Sequence, residues 1–158
     1  MSRPRTVAIS LDGALGDTRP LWEAFLADAA RRYAGIAPLD LSSLPGDRRE
    51  AATALDAWAE GGVGDWRRAL ERFAEDHAPV HLRPDPGANA AVRRLRRAGA
   101  RIVVVTDAPE PLARVALAQL GLARSVDDVV GEPPAGAPFA SSATDLTGAV
   151  TAPGYDQG

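Results

Sequence analysis

An α/β fold on a doubly wound, mostly parallel sheet is the class this sequence predicts, and three observations carry it. Residues 5–11, Arg-Thr-Val-Ala-Ile-Ser-Leu, are a short run with β-branched residues that ends at Asp12-Gly13. The stretch Arg101-Ile-Val-Val-Val-Thr-Asp is apolar without alternation, as expected of a strand covered on both faces. Helical patterns lie between and after these runs, so strands alternate with helices and the crossovers are right-handed.

The elements follow in order. After the first strand, Pro20 opens a helix to about Tyr33, with Leu21, Phe25 and Ala29 on one face. A Pro/Ser/Gly loop over 35–46 precedes a second helix at 47–60, where Asp47 and Glu50 have capping-box spacing. The run Gly61-Gly62-Val63-Gly64 ends that helix, and Asp65 caps a third that aligns Trp66, Leu70, Phe73 and Ala74. Three prolines over 78–86 predict a loop there. A helix over 86–98 turns Ala88, Ala91, Val92 and Leu95 inward and four arginines outward, and Gly99 stops it. The second strand follows at 101–105, then a helix from Pro109 to about Leu120, then a short strand at Val126–Val130. Residues 132–158 are rich in Pro, Gly, Ala, Ser and Thr and predict a flexible or loosely packed tail. Four helices lie between the first two strands, three more than one crossover needs. The surplus predicts a small helical cap inserted at 19–83, over a core of 1–18 and 84–131.

Composition bounds the function. A net charge of −3 gives no electrostatic footprint for nucleic acid or an anionic membrane. The longest apolar run, Ile102–Val105, is too short to span a bilayer, and no secretory signal pattern follows the basic start. With no cysteine there is no disulfide, thiolate nucleophile or Cys-based metal site, and the expected location is cytoplasmic. The sequence also contains no lysine, so chemistry that needs an ammonium group cannot come from this chain.

Candidate chemistry sits at the two strand ends. Asp12 and Asp17 flank the turn after the first strand, a pattern that suits an acid/base or metal site and equally a turn with a helix cap. Thr106 and Asp107 end the second strand, and in a parallel sheet both pairs fall at one edge. His77 and His81 stand four apart around Pro79 and are read as surface histidines, and Trp22, Trp58 and Trp66 as packing among the inserted helices.

The run Val7-Ala8-Ile9-Ser10-Leu11-Asp12-Gly13-Ala14-Leu15-Gly16-Asp17-Thr18 resembles the first motif of haloacid dehalogenase-like hydrolases, an apolar strand followed by Asp-x-Asp-Gly-Thr-Leu-x-Asp-Ser/Thr. Val103-Val104-Val105-Thr106-Asp107 is similar to their second motif. Gly121-Leu122 with Val126–Gly131 is similar to the phosphoglycolate phosphatase-like branch. The resemblance covers roughly residues 5–131 and implies a truncated Rossmann-like core with a helical cap. It also implies phosphate monoester hydrolysis through an aspartyl-phosphate, with a motif-three lysine and with Mg²⁺ held by motif-four acids.

Carried over by position, Asp12 takes the acid/base place and Thr106, followed by Asp107, the phosphate-binding place. Ser10 stands where the nucleophilic Asp belongs, and Ala14 replaces the usual Thr. No lysine can serve as motif three, for which Arg124 is a poor substitute, and Asp145 is the one faint candidate for motif four. Without these ligands Mg²⁺ would keep little beyond the Asp12 backbone carbonyl, a weak site. In the family the motif-four strand pairs beside strand one, so its absence predicts a bare strand-one edge open to a protein partner or a second copy. The expectation is a phosphatase-type protein with impaired catalysis, or a pseudophosphatase that binds a ligand or protein without turnover. A small phosphorylated molecule is the implied ligand.

Overall fold

The computed structural model describes residues 5–151. Two compact units emerge. Among the described residues, unit 1 draws on those up to 17, on 82–106 and on those from 117 onward, and unit 2 on 18–81 and 107–116.

Unit 1 is the sheet. Its strands are β1 (Thr6–Ser10), β2 (Arg101–Val105), β3 (Asp128–Val130) and β4 (Phe139–Ala140), all parallel in the order β3-β2-β1-β4. Val7, Ala8 and Ile9 are fully buried, as are Ile102 and Val104, which is why neither central strand alternates. Each of the buried Val and Ile side chains contributes about 1.5–3 kcal/mol through burial. Register is fixed from Thr6 opposite Arg101 to Ser10 opposite Val105. Beyond β2, Asp127 anchors the next strand by accepting from the Ile102 N–H at 2.8 Å and from Arg96 at 2.9 Å. Helix α4 (Pro86–Arg97) opens with Pro86 in its first turn and with Asp85 accepting from the N–H groups of Gly87 and Ala88. The last helix of this unit is α6 (Ala143–Thr151).

Two expectations are corrected in unit 1. Residues 139–151 are not loose. Ala8 and Ile9 pair with Phe139 and Ala140, the Ala8 N–H donates to the Pro138 carbonyl at 2.9 Å, and Leu146 of α6 is fully buried. The predicted tail also covered 152–158, which lie outside the described residues. The second correction follows: β1 is not an edge, because β4 covers it, and the edges are β3 and β4. The expected partner surface along a bare strand one loses its premise.

Unit 2 is helical, with α1 (Arg19–Arg32), α2 (Arg48–Ala59), α3 (Trp66–His81) and the first turns of α5 (Glu110–Gln119), whose remainder from Leu117 belongs to unit 1. Asp47 caps α2, accepting from the N–H groups of Arg49 and Glu50 as the spacing predicts. Trp22 packs edge-on to Trp66, and Phe25 edge-on to Phe73. Trp58 donates to the Ala37 carbonyl and Trp66 to Asp56. Helix α3 runs through Pro79, where a loop was expected. A proline in the last turn removes only one late hydrogen bond, and buried Ala78 beside it keeps that turn packed. His77 and His81 are therefore both helical, and the His77 ring lies 4.0 Å from that of Phe73. Among the described residues no helix is long and apolar enough to cross a membrane.

Candidate functional site

The predicted site residues Ser10, Asp12 and Thr106 all belong to unit 1, at the C-terminal edge of its sheet. Ser10 pairs with Val105 and Val105 with Val130, so three strands end at one level. The Thr106 N–H donates to the Val130 carbonyl at 3.0 Å, which carries the ladder one residue further. After Ser10 the chain makes one wide turn over Leu11–Leu15, closed by the Gly16 N–H on the Leu11 carbonyl at 3.0 Å. Gly13 holds φ +96° in this turn, a left-handed conformation that favours glycine. Its Cα also faces the Ser141 backbone: a Cβ there would meet the Ser141 carbonyl oxygen at 2.9 Å. The half-buried Ser10 hydroxyl donates to the Asp12 backbone carbonyl at 2.7 Å. That carbonyl is the group expected to offer Mg²⁺ a ligand.

The strand beside β1 supplies a feature that sequence reasoning held only as the faint Asp145 candidate. Ala140 pairs with Ile9, so Ser141 follows at the level of Ser10 on the neighbouring strand. Asp145 accepts from the Ser141 hydroxyl at 2.8 Å and from the Ser141 N–H at 3.2 Å, while its own N–H donates to the Ser142 hydroxyl at 3.1 Å. The hydroxyl and the N–H of Ser141 hold its carboxyl below the ordinary value of 3.8. The β4 strand thus occupies the place where the resemblance puts motif four, with serine where the first acid would stand. The Asp145 carboxylate is engaged in capping the start of α6. Among the described residues no group of three or more His, Cys, Asp or Glu side chains is gathered closely enough to hold a metal ion. The donor set at this edge does not fit Mg²⁺, which needs several oxygen ligands including carboxylates.

Asp107, expected beside Thr106 at the phosphate-binding place, is engaged by an arginine. The chain leaves unit 1 after Thr106, and Asp107 belongs to unit 2, where Arg48 holds it. Its Oδ1 accepts from the Arg48 Nε at 2.9 Å and lies 2.8 Å from Nη2, a bidentate pair, and its Oδ2 accepts from the Arg48 backbone N–H at 3.0 Å. The Arg48 Nη1 donates to the Thr18 hydroxyl at 2.6 Å, and Thr18 is fully buried. Thr18 precedes α1 without capping it through its side chain. Arg48 is 1% exposed and ties together the starts of both segments of unit 2. Burial pushes the Asp107 carboxyl up, and the Arg48 N–H, guanidinium hydrogen bonds and charge more than offset it, leaving it below 3.8. Nothing in the local sequence around Arg48 marks it as buried. Its only signal is long-range, an arginine and an aspartate in separate segments.

Comparison with known proteins agrees with this architecture. The chain matches the haloacid dehalogenase-like hydrolase family over residues 9–156. It is 30% identical over 142 residues to a phosphoglycolate phosphatase of Neisseria gonorrhoeae, a match that covers 80% of this chain and 58% of that protein. It is 34% identical over 144 residues to a phosphoglycolate phosphatase of Rhodospirillum rubrum, covering 81% of this chain and 58% of the relative. The chain therefore spans little more than half the length of these relatives. Among solved structures its fold is similar to that of CbbY from Rhodobacter sphaeroides in complex with phosphate, with a TM-score of 0.55 and 18% identity over 85% of this chain and 67% of that one.

Proposed function

Because this chain belongs to the haloacid dehalogenase-like hydrolase family, we propose that it is a phosphatase-type domain, of phosphate monoester hydrolase ancestry, whose own turnover is impaired at the nucleophile position. One observation carries the reading: Ser10 stands at that position and its proton is donated to the Asp12 carbonyl at 2.7 Å. A serine hydroxyl is neutral at pH 7 and attacks phosphorus only when a base takes its proton. Here the proton points at an amide carbonyl, which is no base. Phosphatases of this family generally use Mg²⁺, but the groups at this edge do not fit the ion, and no lysine supplies a substitute charge. Losing a covalent nucleophile alone costs orders of magnitude in rate.

The engagement of Asp145 in a helix cap favours the stronger form of this reading, a ligand-binding or protein-interaction module without turnover. A small phosphorylated molecule is the ligand class the ancestry supports. The test is hydrolysis of p-nitrophenyl phosphate with Mg²⁺. The native chain and Asp12→Asn should give the same rate, indistinguishable from buffer. Native turnover that Asp12→Asn abolishes would sink the proposal.

A further inference from the structure

We propose that Ser10 and Ser141 together keep the sheet edge of unit 1 closed to divalent cations, and that carboxylates at these two positions would convert it into a Mg²⁺ site. The inference rests on the family reading above but concerns the ion rather than the reaction. Ala140 pairs with Ile9, so residues 10 and 141 stand at one level on neighbouring parallel strands, about 4.8 Å apart at ordinary strand spacing. The turn that follows Ser10 brings the Gly13 Cα against the Ser141 carbonyl, which confirms that the two loops adjoin. Around that point four oxygen-bearing groups gather from two strand ends: residues 10 and 141, the Asp12 carbonyl and the Asp145 carboxylate.

Each serine satisfies a neighbour that a cation would otherwise need. Ser10 donates to the Asp12 carbonyl at 2.7 Å and Ser141 to the Asp145 carboxylate at 2.8 Å. A hydroxyl can do this because it carries a proton. An ionised carboxylate at either position is an acceptor only, so both bonds would be lost and the acceptors turned toward the shared space. Two carboxylates at adjacent strand positions also repel each other unless a cation lies between them. The serine pair therefore makes the edge self-sufficient, whereas the acid pair would make it dependent on an ion.

The experiment compares the thermal midpoints of the native chain, Ser10→Asp, Ser141→Asp and the double variant, each with and without about 10 mM Mg²⁺, a concentration well above the dissociation constants of carboxylate-rich sites. The native midpoint should not move. The double variant should melt lower without the ion and rise by about 4 °C or more with it, a shift that ion binding to the folded state alone produces. The single variants should fall between. A native chain whose midpoint rises with Mg²⁺ as the double variant's does would overturn the proposal. So would a double variant that keeps the native circular dichroism spectrum and gains nothing from the ion. Should the double variant fail to fold, Mn²⁺ broadening of the native chain's NMR signals still decides: selective broadening of residues 10–13 and 141–145 contradicts the proposal, and its absence with Ser141→Asp broadened there supports it. These outcomes separate from the functional reading, since metal-free turnover would defeat that reading and leave this one standing.

Discussion

Asp107→Ala is expected to destabilise unit 2 by about 3–5 kcal/mol, the cost of leaving a buried charge without its partner. The side chain left behind is Arg48, 1% exposed, with its guanidinium bonded otherwise to Thr18. The substitution also removes the acceptor of the Arg48 backbone N–H at the first residue of α2. Urea titration followed by circular dichroism measures the loss. Asp47→Ala, which removes a half-buried cap from the same helix, should cost only about 1 kcal/mol. The paired replacement Arg48→Met with Asp107→Leu should recover most of the stability, because the desolvated pair is costly to break but not to replace. The pH dependence follows in sign. The Asp107 carboxyl is held below its unfolded value of 3.8, so its contribution is complete above that value and is lost as pH falls below it toward the lowered folded value. Asp107→Ala should therefore show less additional destabilisation below pH 3.8 than the native chain. Equal urea midpoints for the two proteins at neutral pH would refute the buried pair.

Gly13→Ala should cost about 2–4 kcal/mol from two sources that add, the left-handed backbone and the overpacking of its neighbour. The first follows from φ +96°, and the second from the Ser141 carbonyl oxygen 2.9 Å from the new Cβ. That oxygen is backbone, so relief requires the loop after β4 to retreat from β1. The substitution thus reports on the β1–β4 pairing itself. The readout is amide hydrogen exchange at Ala8, whose N–H bonds the Pro138 carbonyl. Faster exchange there than at Ile102 of β2 is expected, and unchanged exchange at both would mean that β4 does not lie where it is described.

Much of this fold is legible in the sequence, for reasons that particular residues make plain. Val7 to Ile9 and Ile102 to Val105 read as strands because they are unbroken apolar runs rich in β-branched residues and too short for a helix. Asp47 reads as a cap because its side chain serves N–H groups two and three residues on. What could not be read is non-local or too short to carry a period. The β4 strand is two residues, Phe139 and Ala140, and owes its existence to the open flank of β1 rather than to its own composition. Helix α6 contains Gly148 and several threonines, poor helix formers, and is held by burial of Leu146 and by the Ser142–Asp145 cap. Pro79 lies inside α3, where its cost, one lost hydrogen bond and a crowded carbonyl, is outweighed by packing such as the burial of Ala78 that no local pattern shows. The site divides in the same way. Ser10, Asp12 and Thr106 were visible from strand ends, whereas Arg48 on Asp107 and Ser141 on Asp145 depend on which segments meet.

Intact-mass measurement of the native chain after prolonged exposure to a reactive phosphate monoester and Mg²⁺ puts the decisive question to the hydroxyl at position 10. Attack would form a bond from its oxygen to phosphorus as the ester oxygen leaves with the proton, and the phosphoserine so formed would persist rather than turn over. With that proton held on the Asp12 carbonyl, the mass should remain that of the unmodified chain. A gain of one phosphoryl group, mapped to Ser10 and absent from Ser10→Ala, would contradict the account.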